Sequence, residues 1–211
     1  MKGPRISRTG IVATAIQIAD EKGLAAVTLR GIAARLGVHV TSLYNHVPTK
    51  EAVFDEMVKA LLVEAKLPAG GVSWQDWVRR FTTAMRALAR KHPGAFEAFH
   101  HAPAQGEQAA EAFEAAFAAF RSGGFDAVSA YNAVKATVVA VLGLVLDDTA
   151  RFRSGARRTD VSGLSAERFP HVHEAARVAD EADPFSYLVD VLIEGFAASL
   201  RRSKSARRAS G

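Results

Sequence analysis

An all-α fold of about nine or ten helices is what this sequence predicts, with a small three-helix head in front of a larger helical body. Three observations carry the prediction. Apolar residues recur at i, i+3, i+4 and i+7 in almost every stretch between breakers. Glycine, proline and hydroxyl residues sit where those patterns begin and end. No stretch reads as a strand, no internal repeat occurs, and no heptad run is long enough for a coiled coil.

The elements follow in chain order. Residues 1–7 form a short basic arm with Gly3 and Pro4. From about Arg8 to Lys22, Ile11, Val12, Ala15, Ile18 and Ala19 trace one helical face, and Gly23 is a good stop. The stretch Thr28 to Val47, TLRGIAARLGVHVTSLYNHV, reads as two short helices and a tight turn. Thr28 caps the first, Leu29, Ile32, Ala33 and Leu36 form its face, and Gly37 closes it. In the second, Leu43 and Val47 point inward. Its outward side carries Thr41, Ser42, Tyr44, Asn45 and His46, hydroxyl, amide, phenol and imidazole groups suited to base edges and phosphate oxygens. This is the pattern of a helix-turn-helix whose second helix enters a major groove.

Pro48 ends that helix, and Thr49 caps the next, which runs to about Leu67 before Pro68-Ala69-Gly70-Gly71 breaks it. Ser73 caps a helix over about Trp74–Lys91 with a wide apolar face. A shorter helix is expected from Pro93 to Phe99, then a loop from His100 to Gly106. Helices over about Glu107–Ser122 and Asp126–Asp148 follow. Arg151 to Ser165, rich in Arg, Gly, Ser and Thr, reads as an exposed loop. A weaker helix spans about Ala166–Ala182, and Pro184 opens the last, through about Arg202. The expected division is a DNA-binding head over 1–50, a larger helical body over 51–202, and a disordered basic tail over 203–211.

Charge points the same way. Residues 1–50 hold seven Lys/Arg and two Asp/Glu, residues 201–211 five basic and no acidic residues, and the rest 15 basic and 20 acidic. The basic excess therefore sits on the helix-turn-helix end and the tail, where a polyanionic partner would be met. The chain has no cysteine, which removes disulfides and thiolate chemistry and fits a reducing cytoplasm. No signal peptide is apparent, and the richest apolar run, Ala136 to Leu146, is too short to span a membrane. A cytoplasmic protein without a membrane partner is expected. No nucleophile elbow, Walker loop, glycine-rich dinucleotide loop or His-Glu-x-x-His helix is present, so an enzyme is not expected.

Leu36-Gly37-Val38, Leu43-Tyr44-Asn45-His46-Val47 and Lys50 resemble the head of the tetracycline repressor (TetR) family. Ser73-Trp74-Gln75-Asp76, Gly124-Phe125, Ala130-Tyr131 and the run Leu142 to Asp148 extend the resemblance to most of the chain. The resemblance implies a homodimeric repressor, joined through helices 126–148 and 184–202. Its two heads would sit on successive major grooves of a palindromic operator, about 34 Å apart. It implies DNA contacts at Thr28, Arg30, Val40, Thr41, Ser42, Tyr44, Asn45, His46 and Lys50. Val40 replaces a glutamine of the tetracycline repressors and Asn45 a tryptophan, so a different operator sequence is expected.

The resemblance also places a small-molecule inducer in the body. His100 and Asp147 match the positions that serve a magnesium–drug chelate, Asp147 from the partner subunit. Val63, Phe81, Met85, Pro103 and Ala116 replace the polar and aromatic drug contacts. Tetracycline–magnesium is therefore not the expected effector, and no cofactor is required. An apolar ligand is expected among Trp77, Phe81, Met85, Phe96, Phe99, His100, Phe113, Phe117, Asn132 and Asp147. The aromatic members are equally the stuff of a solid core. His100 and Asp147 are the only metal candidates, and adjacent His100 and His101 do not readily chelate one ion, so no metal is expected. The alternatives are a DNA-binding regulator without a small-molecule ligand, or an activator.

Overall fold

The computed structural model describes residues 6–155 and 160–209. The basic arm lies outside the described residues up to residue 5, as do 156–159 within the expected loop after the long helix. The described residues form ten α-helices and no strand. α1 (Arg8–Lys22), α2 (Leu29–Leu36) and α3 (Thr41–Tyr44) make the head. α4 (Lys50–Ala65) leads out of it into α5 (Trp74–Lys91), α6 (Ala98–His101), α7 (Glu107–Ser122), α8 (Ala127–Ser154), α9 (Pro170–Val178) and α10 (Pro184–Ala209). Short 3-10 turns at Leu24–Ala26 and Ala95–Glu97 complete the set.

Most starts are written in single side chains. Ser7, Thr28, Thr49, Ser73 and Asp126 each accept a hydrogen bond from the backbone N–H three residues on. Each satisfies a donor that the helix leaves open. Gly37 ends α2 with φ of 67°. The Val38 N–H reaches the Ala33 carbonyl and the Gly37 N–H the Ala34 carbonyl, a paired closure that needs a left-handed residue. Asp183 receives the Phe185 and Ser186 N–H groups and the Ser186 hydroxyl in front of α10.

One buried cluster runs from head to body. α4 packs on α1 and also on α5, α6 and α7. An aromatic group of Trp74, Phe120, Phe125 and Phe196 ties α5, α7 and α10 together at ring separations of 5.2–6.3 Å. A Cβ on Gly123 would lie 2.4 Å from the Trp74 ring, so a side chain there is excluded.

Several boundaries depart from the sequence expectation. The short helix expected over Pro93–Phe99 is shifted and split into a 3-10 turn and α6, which places His100 and His101 in the helix rather than in a loop. α8 continues to Ser154, so the expected loop loses its first four residues. Arg151 pairs back to Asp147, and Arg153 reaches Glu97 at 2.5 Å. α9 is shorter than expected. α10 extends to Ala209, so the tail read as disordered is helical to that point. α8 is also long and apolar enough, by length and composition, to cross a membrane, contrary to expectation. In this fold it packs against α5, α7 and α10.

The head meets the body at a polar joint. Asp20, near the end of α1, accepts the Gly94 and Ala95 N–H groups at 3.0 and 2.9 Å. Its other oxygen lies 2.7 Å from His92 Nδ1, while His92 Nε2 lies 3.0 Å from Glu64 of α4. Lys91 also reaches Glu64, at 2.5 Å. The Lys91 hydrogen bond, with help from His92, holds the Glu64 carboxyl below the usual carboxylate range. The backbone of α1 runs so close that a Cβ on Gly94 would stand 1.8 Å from the Ala19 carbonyl oxygen.

Gly94→Ala is therefore expected to destabilise the protein by about 3 kcal/mol or more. Gly70→Ala, which meets nothing within 4 Å, should stay within about 0.5 kcal/mol of the parent; denaturant midpoints check both. Glu64→Gln should cost up to about 1 kcal/mol at neutral pH. Because the folded carboxyl is held below its unfolded value of 4.5, this difference is complete above that pH. It fades as the pH falls through the folded value, where the two stability curves should converge.

Candidate functional site

The helix-turn-helix is short and firmly seated. Leu43 and Val47 are buried in the head core. Their register turns Thr41, Tyr44 and Asn45 fully outward and leaves Val40, Ser42 and His46 partly exposed. α3 itself holds only four residues, Thr41–Tyr44. Turn bonds prolong the coil at both ends, from Ser42 to the His39 carbonyl and from His46 and Val47 to the Leu43 carbonyl. Thr28 and Arg30 are exposed at the start of α2, and none of the nine expected contact residues is buried. The Thr28 hydroxyl accepts the Gly31 N–H and keeps its own O–H to donate. Lys50 Nζ lies 5.2 Å from the Phe54 ring centre, which holds the ammonium at the head of α4.

Arg35 and Glu21 join α2 to α1 through two hydrogen bonds of 2.6 and 2.5 Å. That pairing holds the Glu21 carboxyl low and the Arg35 guanidinium high. Arg35 is thereby committed to the head's own structure. His39, exposed on the turn before α3, is a further candidate contact that the motif alone did not single out.

The expected ligand residues divide into two groups. Trp77, Phe81 and Met85 of α5, Phe99 of α6 and Phe113 of α7 line one apolar cavity of about 50 Å³. Trp77 and Phe81 stack at 5.0 Å. Leu62, Leu67, Ala104, Ala109, Ala112, Val138 and Leu142 complete the wall and were not among the residues expected there. The signal for Leu62, Val138 and Leu142 was the apolar face of their helices; the alanines carried none. Phe96 is fully buried behind Phe99, with ring centres 5.0 Å apart. Phe117 stacks on Phe113 and Tyr131 outside the cavity wall. Of the polar members, His100 and Asn132 do not line this cavity. His100 and Asn132 are exposed, and Asp147 is exposed on α8, where it pairs with Arg151. Among the described residues no three His, Cys, Asp or Glu side chains group as a metal site.

The cavity wall and the head share elements. α6 carries Phe99 on the cavity and His101 toward α4, where His101 and Phe54 lie 5.9 Å apart. Phe54 in turn supports Lys50.

The family described as "Bacterial regulatory proteins, tetR family" matches residues 11–57, and "Tetracyclin repressor-like, C-terminal domain" matches residues 67–200. An HTH-type transcriptional regulator of Saccharopolyspora erythraea is 31% identical over 178 residues, 84% of this chain and 72% of the relative. The class D tetracycline repressor of Escherichia coli is 28% identical over 204 residues, 93% of this chain and 91% of the relative. Among solved structures, apo ActR of Streptomyces coelicolor superposes with a TM-score of 0.80 at 22% identity, covering 95% of this chain and 99% of ActR. ActR has also been solved with actinorhodin, at a TM-score of 0.78 to this chain.

Two substitutions separate positioning from reading in the head. Lys50→Ala is expected to weaken binding to every duplex alike and to lower the slope of log K against log salt by about one. Ser42→Ala should cost about 1–3 kcal/mol at one or two base positions and leave the salt slope unchanged. Fluorescence anisotropy across salt and operator variants measures both.

Proposed function

Because the chain belongs to the TetR family of bacterial regulatory proteins, we propose that it is a ligand-responsive repressor. It holds a palindromic operator as a homodimer in the cytoplasm and lets it go when a small apolar molecule enters the cavity. The observation that carries this reading is the shared wall: α4 and α6 line the cavity and also support the head through Phe54, His101 and Lys50.

The dimer has a surface to form on. α8 exposes Val128, Tyr131 and Val139, and α10 exposes Tyr187 and Val191, on the two helices that the resemblance assigns to the partner. Gly143 and Gly195 lie on the same helices with open space where a Cβ would be. Small residues of that kind let facing helices approach closely.

The ligand class follows from the wall. Every lining side chain is apolar, and four of them are aromatic. A bound tetracycline would leave its hydroxyls and amides unpaired, at about 1–3 kcal/mol each. A drug-sized ligand needs at least about 300 Å³, so the compact cavity must widen around it. Such a ligand selects a wider state of the body, and only its preference for that state can move the heads apart. ActR, whose fold this chain shares, has been solved with actinorhodin, which supports a small-molecule ligand.

A thermal-shift screen of hydrophobic aromatic compounds, followed by operator release in anisotropy, tests the proposal. Hits are expected to stabilise the protein and to free DNA. Ala112→Leu, which fills the cavity, should retain operator binding and lose the response. Compounds that stabilise the protein without ever releasing DNA would refute the induction step, and a monomer in sedimentation at micromolar concentration would refute the dimer.

A further inference from the structure

Arg153, in the last turn of α8, reaches out of the body and meets the head. Its Nη1 donates to Glu97 at 2.5 Å, in the 3-10 turn that Asp20 holds through the Ala95 N–H. Its Nη2 lies over Gly23, the residue that closes α1, where a Cβ would stand 2.7 Å from that nitrogen. Gly23 has a φ of 87°, a left-handed value that favours glycine. A cation is well placed there, because the C-terminal end of a helix carries the negative end of its dipole. One planar group thus bridges α8, the turn before α6 and the end of α1.

Folding stability does not explain the contact. The Arg153 and Glu97 side chains are 30% and 40% exposed, and such a pair adds little to stability. Its significance lies in the elements it joins. α8 packs on α5, α7 and α10 and not broadly on α1. Earlier on the same helix, Val138 and Leu142 line the apolar cavity. Val128, Tyr131 and Val139 are exposed on the face assigned to the partner subunit. Leu142 precedes Arg153 by about three helical turns. Residues 151–154 have the composition of a loop yet remain helical, which carries the guanidinium to the head.

From these observations we infer that Arg153 is a positioning residue that ties the reading head to α8. The spacing of the two heads then follows the helix that the cavity and the partner face share. The inference rests on the dimer proposed above. The Asp20 joint fixes α1 against α4 and the turn between α5 and α6, whereas Arg153 adds a link to α8 that bypasses α4. A shift of α8 at the cavity wall reaches the end of α1 through one guanidinium.

Double electron–electron resonance on the full-length protein tests the inference. The chain has no cysteine, so Gln17→Cys, exposed on α1, places one spin label on each head. The parent dimer is expected to show one narrow distance between heads. Arg153→Gln and Glu97→Gln should each broaden that distribution about twofold, and the double variant no further than Arg153→Gln alone. Arg80→Gln, which removes an exposed arginine of α5, should leave it unchanged. Denaturant midpoints should barely move, which separates positioning from folding. A distribution as narrow in Arg153→Gln as in the parent would overturn the inference and leave the dimer standing. So would additive broadening in the double variant, or equal broadening in Arg80→Gln. Absence of a dipolar signal in the parent would refute the dimer itself, and the inference with it.

Discussion

The carboxylate of Asp20 is the constraint on which the arrangement of head and body depends. It sits near the end of α1 and gathers two backbone N–H groups and an imidazole from the turn between α5 and α6. Those donors lie more than 70 residues away in the chain. The contact is close enough to require glycine at 94. Once α1 is held there, α2 follows through the Arg35–Glu21 pair, and α3 follows through the buried Leu43 and Val47. The reading surface is thus oriented by a joint on the far side of the head. A half-buried polar joint suits an element that has to be repositioned, since its groups can find water when it opens.

The body separates its polarity sharply. Among the described residues no polar side chain lines the cavity around Trp77, Phe81 and Phe113, whereas a few residues along α5 the surface turns to arginine. The helical period alone produces this change. Trp77, Phe81 and Met85 share one face, and Arg86 and Arg90 fall on another. One helix therefore serves two environments. The concavity lined by Arg86 and Arg90 also borders the head joint, because Pro93 in its wall lies between His92 and Gly94, the residues that meet Asp20.

Much of the fold was legible because it is locally encoded. Thr28, Thr49 and Ser73 announced their helices, Gly37 its stop, and the periodic faces of α1, α5 and α7 their extents. Failures came where distant partners decide. Arg151 to Ser154 has the composition of a loop, yet ion pairs to Asp147 and to Glu97 keep it helical. The turn after Pro93 broke into two pieces because Gly94 and Ala95 answer to Asp20, not to a neighbouring helical carbonyl. The outward set of the head was readable from the spacing of Leu43 and Val47. The cavity was half readable. The aromatic side of α5 declared itself, but the convergence of Leu62, Ala109 and Ala112 on it is a matter of tertiary packing that no local pattern records.

If the cavity is the inducer site proposed above, its wall without hydrogen-bonding side chains has a consequence for what the regulator can tell apart. Directional bonds distinguish one functional group from another, and here they are missing from the cavity. Discrimination falls to shape and volume, at about 0.8 kcal/mol for each methylene buried. A graded answer to a series of congeners follows, strongest for the bulkiest member the walls admit. Exchange of one small wall residue, such as Ala109 or Ala112, for a larger one would shift that optimum without touching the operator-reading surface. Chemical sensing and sequence reading are thereby free to diverge separately among descendants of this chain.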